Sequence, residues 1–363
     1  MTRVLVFNNY SLENVLKEVN KKDKPDHHLY GINYFYKRGY DVEIVSYKNS
    51  KILCNLNQSI KKINPLMPLG DLDQAWSAFK ELNESDLIYS PCQTQTQLFT
   101  YARAMGWLKI PVVRLAHHKI NRGRLSLLRA PFVKLSVKGT DIFPSLSSRV
   151  ANEISVISRQ PQKSFPIPWG PDAKFYSRSS NLGDSIVAAG RTGRDFRTFC
   201  VAASRTRVPV QIICLQKDAR MIPNELGDNV RLSIEQDTDY MKYPELLEFY
   251  AQARAIAIPM YVVSDSLCGL TSLMDAMGMG KPIIMTRHPL IDIDIEKEGI
   301  GKWVAPGDIQ GWREAIQFFE DNEDEAWAMG QKARKLVDAG MNSKSFANQV
   351  MDIFDRVLAC SKV

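Results

Sequence analysis

Two series of short apolar runs alternate with amphipathic stretches, and a segment dense in proline, serine and glycine separates them. Alternation of this kind builds a parallel sheet covered by helices on both faces, so the chain is read as α/β with two doubly wound, Rossmann-like domains. In the first series Arg3 to Phe7 reads as a buried strand. Asp26 then reads as the N-cap of a helix from His27 to Arg38, which Gly39 closes before a strand from Asp41 to Ser46. Asp86 to Tyr89, Pro111 to Leu115 and Thr140 to Pro144 continue as strands, and Leu146 to Ile157 as a helix. The stretch from Ile157 to Ser180 lacks apolar periodicity and reads as a linker.

The second series restarts at Ser185 to Ala189. It runs through strands at Val210 to Leu215, Val230 to Leu232, Ala255 to Pro259 and Pro282 to Thr286, with helices at Glu245 to Ala253 and Thr271 to Met279. The acidic stretch after Gly311 and a last helix with Phe346, Val350, Ile353, Phe354 and Val357 at helical spacing end the chain. This predicts a first domain over residues 1–170, joined by the terminal helix 345–363, and a second over 171–344. The two would face each other across a cleft at the carboxyl ends of their sheets, where open α/β folds bind ligands. A hinge is expected near Trp169 to Asp172.

Composition excludes several classes. Of 363 residues, 45% are apolar and 24% charged, which is globular rather than disordered or collagenous. No apolar run reaches the ~20 residues that span a bilayer, and MTRVLVFNNY leads straight into a strand without a signal-peptide layout. A cytoplasmic location is therefore expected. The six cysteines show no C-x-x-C pairing and read as reduced core residues. The net charge of +7 is local: Arg114 to Lys138 holds seven cations and no acid, interleaved with leucines. That pattern fits an anionic membrane surface, which would make the protein peripheral on the cytoplasmic face, although a solvated helix face reads the same way and Pro131 should break any long helix.

Two segments carry chemistry. After the strand at Ser185 comes Gly190-Arg191-Thr192-Gly193-Arg194-Asp195-Phe196. Glycines admit a ligand close to the backbone, a helix N-terminus offers N–H groups, and guanidinium groups bind phosphate oxygens, so Gly190, Arg191 and Arg194 read as a diphosphate cradle. A surface loop with solvated arginines is the bland alternative, and the position after a strand favours the cradle. In the second segment a polar loop from Ser264 feeds Gly269, Leu270, Thr271 and Ser272 at a helix start, with Asp275 one turn further in. Thr271 and Ser272 are suited to a phosphate and Asp275 to a ribose diol, unless Asp275 merely complements the helix dipole. His117 and His118 follow a strand directly and are candidate ligand contacts; His27 and His28 form a weaker second pair.

In order and spacing, PWGPDAKFY, VAAGRTGRDFRTF, ELLEFYAQARAIAIPM, GLTSLMDAMGMGKPIIMT and EKEGIGKWVAPGDIQGWREAI resemble the nucleotide-sugar half of GT-B glycosyltransferases of glycosyltransferase family 4. The resemblance covers Pro166 to Ile316 well and the first half only in layout. It implies a retaining glycosyltransferase with an acceptor-binding first domain and a nucleotide-sugar-binding second one. The donor is a nucleotide diphosphate sugar, UDP by default, and the acceptor a lipid-linked, polysaccharide or glycolipid precursor. It places Arg191 and Arg194 on the donor diphosphate, Arg194 where the family more often has Lys. A histidine at His117 or His118 would bond the donor sugar. Asp275 falls on the second acid of the family's E-x7-E pattern, while the first falls at Leu267, with Asp265 nearby as a substitute. Asn8-Asn9-Tyr10 stands where the family usually has a Gly-Gly loop. The D-x-D triplets Asp71/Asp73, Asp237/Asp239 and Asp292/Asp294 resemble the metal-binding triplet of GT-A enzymes, but the arginine pair supplies that charge, so no obligatory metal or other cofactor is expected. A nucleotide-sugar epimerase on the same architecture is the rival enzyme. A basic nucleic-acid-binding protein is the rival from another class, and no nucleic-acid motif supports it, so no nucleic-acid partner is expected.

Overall fold

The structure is a computed structural model that describes residues 1–236, 241–262 and 265–361, apart from the side chains of Lys61 and Ser361. It forms two compact units, one of residues 1–21, 26–169 and 343 onward, the other of residues 22–25 and 170–342.

The first unit contains β1 (Thr2–Val6), α1 (Leu12–Asn20), α2 (Ile32–Phe35), β2 (Tyr40–Ile44), α3 (Lys51–Ile63), α4 (Leu72–Ala78) and β3 (Leu87–Ser90). It continues with α5 (Gln97–Ala104), β4 (Val112–Arg114), α6 (Ser126–Lys138), β5 (Phe143–Ser145), α7 (Ser148–Ser158) and β6 (Ser164–Pro166). The strands β1 to β4 form a parallel sheet in the order β2-β1-β3-β4, and β5 pairs with β6. Val4, Leu5, Val6, Leu87, Ile88 and Tyr89 are fully buried, as parallel strands covered on both faces require.

The second unit holds β7 (Ser185–Ala189), α8 (Phe196–Ala203), β8 (Val210–Leu215), α9 (Gln216–Ala219), β9 (Val230–Glu235), α10 (Tyr243–Ala251) and β10 (Ala253–Ile258). Next come α11 (Leu270–Met279), β11 (Ile283–Thr286), β12 (Gly301–Val304), α12 (Ile309–Asp321) and α13 (Glu323–Asp338). Its six strands are parallel, in the order β12-β11-β10-β7-β8-β9. One core, including Ile186, Phe199, Ile212, Ala255, Ile284, Trp312 and Phe319, packs one face of the sheet. Finally α14 (Ser343–Ser361) belongs to the first unit, where Phe354 lies edge-on to Phe35, Tyr40 and Tyr89 at 5.1, 5.5 and 5.2 Å. Burying one such ring stabilises by roughly 1.5–3 kcal/mol.

Several expectations are corrected. No continuous helix runs from His27 to Arg38: Tyr30 and Gly31 have φ of 50° and 90°, which breaks the segment into a 3-10 turn at Asp26–Leu29 and the short α2. Asp26 is not an N-cap there; it is buried, and its carboxylate accepts from Asn33 Nδ2 and the Tyr34 hydroxyl at 3.0 and 2.6 Å. The linker stretch contains β6, held by β5. Pro131 does not end a helix, because α6 runs through it. Only Cys200 and Cys214 are core residues, while Cys54 and Cys360 are exposed and Cys92 and Cys268 half-buried.

Candidate active site

In the second unit the chain leaves β7 for β8 and β9 on one side and returns to β10 on the other. The loops after β7 and β10 therefore diverge at a topological switch point, where a crevice forms beyond the carboxyl ends of the strands. Both segments singled out in the sequence lie here. They are stitched together by Asp195 N to the Pro259 carbonyl at 3.1 Å and Tyr261 N to the Gly193 carbonyl at 2.9 Å.

The two arginines of the first loop do different things. Arg194 is buried and folds back beneath its own loop: Nε donates to the Ala189 carbonyl at 3.1 Å, Nη1 to the Thr192 carbonyl at 3.1 Å and Nη2 to the Ser272 hydroxyl at 2.9 Å. Those bonds take three of the five guanidinium donors. Gly190, at φ 147°, is required here, since a Cβ would fall inside the Arg194 guanidinium. Burial lowers the pKa of Arg194, so its charge is held at a cost. Arg191 is exposed, with Nε 3.6 Å from the Glu235 carboxylate at the end of β9.

Gly269 is the N-cap of α11 in the left-handed conformation and, as glycine, offers no side chain to its N–H groups. Thr271 is exposed, Leu270 half-buried, and Ser272 buried against Arg194. Asp275 is buried, and its Oδ1 accepts from the hydroxyls of Tyr176, at 2.6 Å, and Tyr243. The two phenols lie 3.1 Å apart. Burial pushes the Asp275 carboxyl up to about 6, against the two hydrogen bonds and the nearby Arg194 cation. Among the described residues no hydrogen bond reaches Oδ2, so only one of the two carboxylate oxygens is held. The switch point thus combines a buried cation, an exposed cation, a helix that starts at a glycine and a buried carboxylate, which suits a phosphorylated diol.

In the first unit His117 and His118 follow β4. Gln93 clamps this turn: its Oε1 accepts from His117 N at 2.6 Å and His118 N at 3.1 Å, and its Nε2 donates to the His118 carbonyl at 2.8 Å. His117 Nε2 lies 2.6 Å from the Pro91 carbonyl. A carbonyl only accepts, so Nε2 carries the proton and Nδ1 of the neutral ring is an acceptor. Burial lowers both histidines to about 4. His27 is buried, with the His28 ring tilted against it at 4.4 Å.

Residues 225–336 match the family model of glycosyl transferases group 1. This is a glycosyltransferase with a GT-B fold. Among solved structures it is similar to Anabaena Alr3699/HepE in complex with UDP, with a TM-score of 0.65, 14% identity, and 98% of this chain and 100% of that chain covered. It is also similar to the sucrose-phosphate synthase tll1590 from Thermosynechococcus elongatus (0.65, 14%, 99% and 100%). A third is WaaG, a glycosyltransferase involved in lipopolysaccharide biosynthesis (0.58, 14%, 97% and 99%). No curated protein matches the chain by sequence.

Other sequence candidates of this glycosyltransferase have structural duties. Asp71 caps α4 through Gln74 N at 3.0 Å, and Asp73 is buried on the N–H groups of Asn49 and Ser50. Asp294 accepts from Trp303 Nε1 at 2.9 Å. Asp237 and Asp239 lie outside the described residues, and among those described no cluster of three or more His, Cys, Asp or Glu could hold a metal. Arg114 is not part of a cationic surface: it is buried, donating to Ser136 Oγ at 2.6 Å and to the Gln93 carbonyl. Leu127 and Leu128, in contrast, are exposed. Among the described residues no helix is long and apolar enough to cross a membrane. Sequence reasoning missed Tyr176, Tyr243, Gln93 and Glu235, of which Tyr176 alone sat in a quoted motif.

Proposed function

We propose that this glycosyltransferase takes its sugar from a UDP-linked donor, transfers it with retention at the anomeric carbon, and delivers it to a lipid-linked, polysaccharide or glycolipid precursor held by the first unit. The observation that carries the reading is the pairing of the Gly190–Arg194 loop with the start of α11 at the switch point, inside a unit that carries the glycosyl transferases group 1 match. The HepE complexes hold UDP and UDP-glucose, which supports uridine as the base. Arg191, the remaining donors of Arg194 and the α11 N–H groups, with Gly190, Gly269, Leu270, Thr271 and Ser272 shaping the pocket, stabilise the leaving diphosphate as the sugar gains oxocarbenium character. The free oxygen of Asp275 takes the ribose diol, and His117 or His118 bonds the sugar. No protein nucleophile and no metal enters this scheme.

The test is turnover of Arg191→Ala with UDP-sugars, together with anomeric analysis of the product. Loss of at least ~100-fold in rate, with a product of unchanged anomeric configuration, supports the reading. Near wild-type turnover overturns the role of Arg191, and conversion of the donor without any acceptor identifies an epimerase.

A further inference from the structure

The crossover from β2 to β3 carries a helix whose apolar side is left largely uncovered. Ile52, Leu53, Leu56, Ile60 and Ile63 recur on one stripe of α3. Leu53 and Ile60 are half-buried, but Ile52 is 79%, Leu56 46% and Ile63 83% exposed. Next to it, α4 turns Ala75 and Ala78 into the core with Leu5, Phe7 and Ile88 and leaves Trp76 and Phe79 67% and 69% exposed, their rings stacked 6.5 Å apart. The two helices are tied at their starts, because the Asp73 carboxylate accepts from Asn49 N at 2.9 Å and Ser50 N at 3.1 Å.

The charge around this patch is predominantly positive. Between Glu43 and Asp71 the sequence has Lys48, Lys51, Lys61 and Lys62 and no acidic residue; Lys48, Lys51 and Lys62 are exposed, as is Lys80 beside Phe79. The neighbouring acids are engaged elsewhere: Asp71 caps α4, Asp73 is buried, and Glu43, Glu81 and Glu84 are ion-paired with Arg3 at 3.3, 2.8 and 2.6 Å. A 13-residue helix is too short to span a bilayer. An apolar stripe with lysines along its polar side and a tryptophan and phenylalanine alongside is instead the pattern of a helix lying in the headgroup region of an anionic membrane.

We propose that α3 and α4 form a membrane-docking surface that takes an anionic lipid bilayer, with Ile52, Leu56, Ile63, Trp76 and Phe79 entering the interface and the lysines contacting headgroups. The surface is distinct from the basic stretch around α6, and it does not rest on the donor reading.

The test is flotation of the full chain with vesicles of phosphatidylcholine alone and of phosphatidylcholine with 30% phosphatidylglycerol, at low and high salt. The chain is expected to float with the anionic vesicles and to lose this in high salt. Ile52→Ser/Leu56→Ser/Ile63→Ser, and separately Trp76→Ser/Phe79→Ser, should cut partitioning at least tenfold with unchanged urea midpoints. Leu127→Ser/Leu128→Ser should float as wild type. Absence of flotation overturns the proposal, as does equal flotation with both vesicles, or loss confined to the Leu127/Leu128 variant. Self-association through α3 without flotation would make the patch a protein interface and also overturns it. Thermal stabilisation by UDP, measured on the same variants, reports the donor reading separately.

Discussion

Arg194 donates Nη2–H to the Ser272 hydroxyl at 2.9 Å, a bond between residues 78 positions apart that joins the glycine loop after β7 to the first turn of α11. Because the same guanidinium also holds the Ala189 and Thr192 carbonyls, the shape of the Gly190–Arg194 loop depends on a side chain placed beneath it. Arg191 stands at the surface of the same loop. The sequence reading treated the two as an equivalent pair; in the structure Arg194 is buried and braces the loop, while Arg191 is exposed beside Glu235.

That division predicts opposite signatures. Arg194→Ala leaves buried acceptors unsatisfied and should destabilise by on the order of 3 kcal/mol, lowering the urea midpoint as well as donor binding. Arg194→Lys keeps a charge but cannot reach three acceptors in the same geometry, and should fall between. Arg191→Ala, at an exposed position, should change stability by less than ~0.5 kcal/mol while losing most turnover. Equal urea midpoints for both alanine variants would contradict this.

Asp275 offers a pH test. Its carboxyl titrates at about 6 in the folded chain against an ordinary 3.8, with burial as the main cause. The folded state therefore holds the extra proton between these values, and the contribution of Asp275 to stability falls as pH rises from about 4 to about 6 and stays lower above. A rise of this size corresponds to roughly 3 kcal/mol. Asp275→Asn removes the buried charge while keeping an acceptor for Tyr176 and Tyr243. It should thus melt higher than wild type at pH 7.5, match it near pH 4, and respond to UDP at least ~10-fold more weakly. A variant that is destabilised at pH 7.5 with its UDP response intact would assign Asp275 a structural role only.

How much of this was legible follows from the range of the interactions. The runs at Arg3, Ser185 and Pro282 could be read as strands because residues covered on both sheet faces are continuously apolar. The Gly190 and Gly269 segments could be placed because each follows a strand and opens a helix, and that order is local. The partners of Asp275 could not, since Tyr176 and Tyr243 lie 99 and 32 positions away. Local pattern also misled: the Asp26 N-cap signature lost to positive φ at Tyr30 and Gly31. Helix α3 escaped notice although Ile52, Leu56, Ile60 and Ile63 recur at helical spacing, because the strand pattern on either side drew the reading.

His117 is held neutral by burial, with its folded pKa at about 4 below the ordinary 6.5. Its contribution to stability is present above pH 6.5 and is lost as pH falls toward 4, opposite in slope to Asp275. His117→Ala should therefore flatten the acid side of the stability profile relative to wild type. If Nδ1 accepts from the donor sugar, the same variant loses kcat with the UDP response unchanged. Gln93→Ala, which releases the His117–His118 turn without touching the ring, should lower kcat in the same direction but less. An unchanged kcat in His117→Ala would leave His118 as the sugar contact.

The donor itself is checked by the thermal midpoint of the purified chain with UDP, GDP and ADP, each with and without a chelator. A ligand at 100 times its Kd adds about 2.7 kcal/mol, a shift of several degrees for a chain of this size. UDP is expected to give the largest shift, and chelator to leave it unchanged, because Arg191, Arg194 and the start of α11 supply the positive charge that a diphosphate needs. Loss of the shift on chelation would place a divalent cation on the diphosphate and demand carboxylate ligands, for which Asp237 and Asp239, close in sequence to the Glu235 that faces Arg191, would be the first residues to substitute. A larger shift with GDP or ADP would keep the cradle and change the base of the donor.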